Sequence, residues 1–449
     1  MILSDNETRL DLLNNRAIAK TIVSIIKDSK GSVSIGVHGD WGAGKSSILA
    51  MVEDLLNPKQ SDDDKLSLTS VDEDDLDWDT WEDCNERDDA ADEEPAEPVT
   101  DLITVRFNSW QYQGFEDAKI ALMSAIVKAL QKKAKDYYKK HPVKGAFKKL
   151  KGISKRIWKN LDKLSLAKNV GKAGVSLATG TTPLALLEIG ANYAKDIFTD
   201  QKKREEFLDT AGELLKESSS DSSSYKEMTE FRTNYKELFK AAHIEKLVVL
   251  IDDLDRCLPK VAIETLEAVR MFLAMEHAAF IIAADDAMIR YSVKEYFPRV
   301  IEQENEDVSK NLDYNQFSDK YLEKLIQVPL HIPRIGIAEA QLYILLLMAE
   351  SKTGESDELK ALAETVISKL SKPWALEQLT TEEIQKVMGT QYDSVIENVI
   401  IAKSIDRILA ENTGGNPRNI KRFVNMLLLR TEVAHNRGFD EKELEMSVL

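Results

Sequence analysis

The chain has 449 residues, 31% of them charged, and its 60 Lys and Arg against 77 Asp and Glu give a formal net charge of −17. That length accommodates two or three domains at the usual ~150 residues each, with a sizeable core. Two cysteines, Cys84 and Cys257, exclude a disulfide framework and point to a reducing, cytoplasmic setting. The opening MILSDNETRLDLL carries acids and lacks the basic-then-apolar pattern of a secretory leader.

The first element in chain order is Ser32–Val37, an apolar run that predicts a buried strand. Gly39-Asp40-Trp41-Gly42-Ala43-Gly44-Lys45-Ser46 follows at once, and Ser47–Leu56 reads as a helix. This is G-x-x-x-x-G-K-[ST] in the strand–loop–helix context that the motif needs. Glycines let the backbone curl round phosphates, with N–H donors aimed inward at the positive end of a helix. Gly39, Asp40, Trp41, Gly42, Ala43, Gly44, Lys45, Ser46 and Ser47 are therefore the candidate nucleotide-binding residues. Lys45 would reach the β- and γ-phosphates, and the Ser46 hydroxyl would complete a Mg²⁺ shell.

Charge is then sorted into blocks. Residues 62–97 hold 18 Asp and Glu against Lys65 and Arg87, a net of −16, with too little apolar content to build a core. Residues 59–100 are expected to be a disordered acidic insertion. Lys128–Lys172 is the opposite, with 16 Lys and Arg against Asp136 and Asp162, a net of +14. Overall acidity argues against nucleic acid as a partner but leaves it open for this basic block. Within it Val143, Phe147, Leu150, Ile153, Ile157, Leu161 and Leu164 recur at helical spacing. Such a stripe either packs on its own domain or, over residues 143–164, lies on an anionic membrane surface. Ala173–Ala191 is long enough to suggest a membrane span, but Gly180-Thr181-Thr182-Pro183 and Glu188 interrupt it. A buried helix pair is the better reading, followed by a serine-rich linker at Ser218–Ser224.

Leu247–Ile251 is a second strand, apolar enough for the middle of a parallel sheet, and it runs into Asp252-Asp253-Leu254-Asp255-Arg256. Asp252 would hold Mg²⁺, and Asp253 is the candidate for polarising the attacking water. Asp255 and Arg256 would do so little as cap the helix predicted near Pro259. A third strand, Phe280–Ala284, ends at Asp285 and Asp286, where Asp285 either senses the γ-phosphate or caps the next helix. The C-terminal third reads as helices over Ala340–Ala349, Leu359–Leu370 and Tyr392–Ala410. A last one starts at Asn416-Pro417-Arg418, with Pro417 suited to a first turn.

GVHGDWGAGKSS, VRFNSWQY (Val105–Tyr112), LVVLIDDLDRC, YLEKLIQVPLHIP (Tyr321–Pro333) and GGNPRNIKRFVN (Gly414–Asn425) occur in an order that resembles the KAP family of P-loop NTPases. The resemblance spans Asp11 to Asn425. It implies an α/β fold, a three-layer α/β/α sandwich on a mostly parallel sheet. Leu102–Phe107 would be the strand added between the two Walker elements. It further implies a P-loop domain over 1–334, interrupted at 59–100 and 128–225, and an all-helical lid over 335–449. Arg418 would sense nucleotide from that lid, with Lys421 and Arg422 extending its basic face. Family members often insert membrane-spanning helices where Lys128–Ala191 lies, and bacterial ones often act in phage defence. The resemblance also implies nucleotide-driven homo-oligomers, with Arg256 or Arg290 as candidates for an arginine lent to a neighbour.

Three function classes follow. The first is Mg²⁺-dependent hydrolysis of ATP, with GTP as the alternative, driving a conformational or assembly switch through Lys45, Asp253, Asp285 and Arg418. The second is a module that holds nucleotide without turnover. The third is a nucleotide-holding scaffold attached peripherally to the inner face of the membrane. No nuclease, deaminase or protease pattern stands out, so effector chemistry is expected from another chain.

Overall fold

The computed structural model describes residues 2–58, 102–112, 118–141, 143, 145–161, 221–275, 277–297, 314–370 and 379–438. The acidic insertion, the 173–191 segment and residues 218–220 of the expected serine linker lie outside the described residues, and Asp221–Ser224, expected in that linker, is instead the first turn of a helix. In chain order the strands are β1 (Val33–His38), β2 (Leu102–Asn108), β3 (Lys246–Asp252), β4 (Ala278–Ala284) and β5 (Val328–His331). They form one parallel sheet in the order β2-β3-β4-β1-β5. β1, β3 and β4 are buried at every position. Strands covered on both faces must be apolar throughout, as VSIGV, LVVLI and AAFIIAA are. β1 pairs with β4 from Val33–Ala279 to His38–Ala284, and with β5 from Ile35–Val328 to His38–His331. The sheet order places β4 between β1 and β3, so the strand added between the two Walker strands is β4, and Leu102–Phe107, expected in that place, is instead the edge strand β2 beside β3.

The chain divides into two compact units. The first comprises Met1–Lys65, Leu250–Ala262 and Ala279–Leu449. Its helices begin with α1 (Asn15–Asp28), which packs on α2 (Lys45–Leu56). In the second unit, Leu66–Val249 with Ile263–Ala278, the helices are α3 (Ala118–Lys140), α4 (146–161) and α5 (Asp221–Ala241). Phe147, Leu150, Ile153, Ile157 and Leu161 on α4 are all buried. Arg156 donates to Asn234 Oδ1 (3.0 Å) and Glu237 Oε2 (2.6 Å) on α5, and Trp158 Nε1 donates to Gln131 Oε1 (3.3 Å) on α3. From Phe147 to Leu161 the stripe predicted from spacing is thus occupied by intramolecular packing, whereas Leu164 lies outside the described residues. Among the described residues no helix is long and apolar enough to cross a membrane.

α6 (Pro259–Leu273) follows the acidic run after β3. The first unit then continues with α7 (Asp286–Tyr296) and α8 (Tyr314–Leu325). The helical region after β5 contains α9 (Ile337–Thr353), α10 (Asp357–Leu370), α11 (Thr381–Met388), α12 (Tyr392–Asn412) and α13 (Pro417–Asn436). α9 is buried nearly all round, from Leu342 to Ala349, so it is the centre about which α10, α12 and α13 pack. Asn398 on α12 donates to Met348 O and Ser351 Oγ, both at 3.0 Å, fixing the register of the α9–α12 pair. Leu3 and Leu12 from the start of the chain belong to the same apolar core. Gly415, in the left-handed region at φ +70°, lets the turn before α13 approach Ile335, whose carbonyl oxygen would lie 2.4 Å from an added Cβ. Residues on both sides of 334 and 335 belong to the first unit.

Candidate nucleotide site

The glycine loop joins two buried elements and has little freedom. β1 delivers His38, Ala43 N closes a turn onto Asp40 O at 3.1 Å, and α2 begins at Lys45 behind Gly44 at φ +95°. Gly42 lies at φ +84°, in the left-handed region that side chains rarely adopt, and a Cβ there would meet Arg418 Cβ at 2.3 Å. Lys45 is buried and folded across the loop, donating to Gly39 O (2.8 Å) and Asp40 O (3.3 Å). Its ammonium is also 3.0 Å from Asp255 Oδ2, itself buried.

Ser46 Oγ donates to Asp252 Oδ1 at 3.0 Å. These residues are 206 apart in sequence, and the two elements carrying them bring a hydroxyl and a buried carboxylate side by side. Paired hard oxygen donors beside the loop fit Mg²⁺, which takes one or two protein oxygens and fills its octahedron with water and phosphate. Asp253 sits at φ +55°, a conformation that Asp tolerates better than most residues, and its Oδ1 pairs with Arg256 Nε at 2.9 Å. Asp285 Oδ1 accepts from Ala287 N (2.9 Å), so its carboxylate caps α7 while its own N–H donates to Asp255 Oδ2 (2.9 Å). Asp255 is therefore the junction between the loop lysine and the end of β4. From spacing alone it is expected only to cap a helix; the signal it carries is a third acid three residues beyond Asp252. Cys257 lies against this acidic run, where burial, then Asp253 and Asp255, push its thiol up to about 12.

The start of α13 rests on the loop. Asn416 Oδ1 accepts from Arg418 N (3.1 Å) and Asn419 N (3.2 Å), an N-cap with Pro417 behind it. The same side chain donates through Nδ2 to Trp41 O at 2.8 Å. Arg418 Nε is 3.1 Å from Asp5 Oδ2. Lys421, expected on an exposed basic face, is instead buried and donates to Ser4 O at 2.9 Å, whereas Arg422 is exposed. Arg256 and Arg290 both form ion pairs within the chain, Arg290 with Asp319 at 2.6 Å.

A cavity of about 160 Å³ opens beside the loop. Leu13, Ile332, Ile335 and Pro417 supply its apolar wall, and Asn15 and Asn416 its amides. Arg334, at its edge, holds Asp40 Oδ2 at 2.8 Å. His38 and His331 on the cavity lining converge on Asp286: His38 Nδ1 lies in ion-pair contact with Oδ1, His331 Nε2 is 3.0 Å from Oδ2, and Arg290 is at 3.8 Å. Burial pushes the Asp286 carboxyl up, but the His38 bond and charge, the His331 bond and Arg290 outweigh it and hold it at about 2. His38 and His331 lie within runs quoted for the family resemblance and Asp286 follows the third strand, but no role for them is legible there; the pairing of β1 with β4 and β5 brings them together.

The model of the KAP family P-loop domain matches residues 15–434. The chain belongs to the KAP family of P-loop NTPases. It is also 28% identical over 179 residues, 39% of its length, to an uncharacterized protein of Methanocaldococcus jannaschii, 86% of which is covered. For this KAP protein, membership supports nucleotide binding and NTPase chemistry in general terms. The structure brings Lys45, Ser46, Asp252 and Asp253 to one end of the sheet, with Arg418 against the loop from α13.

Proposed function

We propose that this protein hydrolyses ATP with Mg²⁺ and uses the reaction as a conformational or assembly switch. The observation that carries the reading is the Ser46–Asp252 pair at 3.0 Å beside the buried Lys45. Backbone N–H groups of Gly42 to Ser46 would cradle the phosphates at the start of α2. Lys45 would give up the carbonyls of Gly39 and Asp40 and donate to the β- and γ-phosphate oxygens, with Asp255 keeping its ammonium in place. Ser46 and Asp252 would hold the metal, which when bound neutralises charge building on the phosphate oxygens. Asp253, fixed by Arg256, would orient the attacking water, and Asp285, tied at the end of β4 to Asp255, would sense the γ-phosphate. The cavity lined by Leu13, Ile332 and Pro417 would seat the base.

Arg418 and Asn416 would sense the nucleotide from α13, because that helix already touches the loop at Trp41 and Gly42. Loss of the γ-phosphate would weaken this contact and shift the helical region. Nucleotide-dependent homo-oligomers, and a role in anti-phage defence through an effector on another chain, belong to the same proposal on the strength of family kinship. The test is steady-state turnover with MgATP, MgGTP and EDTA. Turnover that requires Mg²⁺ and falls at least about a hundredfold in Lys45→Ala is expected. Full turnover by Lys45→Ala, or by Asp252→Asn, would refute it.

A further inference from the structure

Residues 3–9 form a strap between α13 and the helix of the glycine loop. At one end Leu3 N donates to Asn425 Oδ1 (2.8 Å) and Asn425 Nδ2 donates to Leu3 O (2.9 Å). Lys421 Nζ donates to Ser4 O at 2.9 Å, and Arg418 Nε meets Asp5 at 3.1 Å. Residues 418, 421 and 425 are spaced three and four apart, so they share one helix face and the strap runs against the helix direction along it. At the other end Thr8 N donates to Ser47 Oγ (3.2 Å), and Arg9 pairs with Asp54 and, at 3.7 Å, with Glu53 on α2. Leu3 is buried in the helical core, which anchors the strap independently of its polar bonds.

We propose that Asp5 is a positioning residue for Arg418. It grips the guanidinium by Nε and so aims the two terminal amino groups at the nucleotide; this rests on the hydrolase reading above. Three observations support it. The stem of Arg418 lies on the loop, with Cβ 2.3 Å and Cδ 3.1 Å from the position of a Cβ on Gly42. The contact with Asp5 is made through Nε, which donates to Oδ1 at 3.2 Å and lies 3.1 Å from Oδ2. A guanidinium held at Nε keeps its planar fork for a phosphate, whereas a free arginine samples many rotamers. The strap also fixes the backbone leading to Asp5, since its neighbour Ser4 is tied to Lys421 and Leu3 is buried.

The test is a double-mutant cycle on full-length protein: wild type, Asp5→Asn, Arg418→Ala and the combination, with MgATP turnover and thermal melting measured for each. Asp5→Asn should lower kcat roughly three- to tenfold with KM within about twofold. It should have no further effect on top of Arg418→Ala. Asp5 is half-exposed, so the melting temperature should stay within a few degrees of wild type. An unchanged kcat, an effect that adds to that of Arg418→Ala, or a melting drop matching the activity loss would each overturn the assignment. Wild type that neither binds nor hydrolyses nucleotide would bring down the hydrolase reading, and this one with it. Active wild type with an indifferent Asp5→Asn would bring down this one alone.

Discussion

One methyl group tests how closely the loop and α13 are fitted. Gly42→Ala places a side chain in the left-handed region and 2.3 Å from Arg418 Cβ, so loop or helix must shift. The strain alone costs on the order of 1 kcal/mol or more. Gly42→Ala should therefore weaken nucleotide binding at least several-fold by titration with a fluorescent ATP analogue, while Gly438→Ala, with open space at its Cβ, should leave it unchanged. The motif itself was readable because phosphate chemistry demands glycine, lysine and a hydroxyl at fixed offsets. Asp255 was not. Its partnership with Lys45 depends on how the short turn Leu254–Arg256 folds after β3, and spacing alone does not state that. Asp285 illustrates the same limit, because an acid after a strand suits both a sensor and a cap, and its carboxylate makes the capping bond.

At the scale of elements, α4 and the start of α13 carry opposite lessons. The stripe on α4 was legible from its period, yet amphipathicity fits a membrane as well as a core. Burial decides it here. Ile157→Ala should destabilise the fold by roughly 2–4 kcal/mol in urea titration. The intact protein should stay at the bottom of a flotation gradient with zwitterionic vesicles, where no lysine attraction operates. For α13, Asn416 performs two tasks, capping the helix and holding Trp41 O. Asn416→Ala should cost about 1 kcal/mol as a lost cap. Asn416→Asp, which keeps the cap but loses the amide donor, should recover stability and not the loop contact. β1, β3 and β4 announced themselves as continuous apolar runs, whereas β5 has four residues, one of them Pro329, and an alternating burial pattern. A strand so short carries too little signal to separate from a loop.

At the scale of the whole molecule, pH reports on the joint formed by His38, His331 and Asp286. The Asp286 carboxyl is held at about 2, below the ordinary value of about 3.9, so its contribution is present above pH ~4 and lost as pH falls toward 2. Asp286→Asn should lower stability at neutral pH by on the order of 2 kcal/mol and flatten the acid limb of a stability–pH profile below about pH 4. A variant with an unchanged acid limb would remove that carboxylate from the account. Fold class followed from motif order, since a P-loop strand and an acid-bearing strand belong to one parallel sheet, but which strand stands between them did not: β4 does, and Leu102–Asn108 takes the edge. The histidines did not, because no local pattern ties residue 38 to residue 331.

That joint has a mechanical meaning. The tip of β1, the first turn of α7 and the tip of β5 meet on one carboxylate, so the rim of the sheet behaves as a rivet rather than as three separate ends. Prying one tip loose exposes the acid to its remaining partners' pull, which resists piecemeal fraying. Rearrangement at that rim should thus come as a single collective step, visible as one relaxation rather than several.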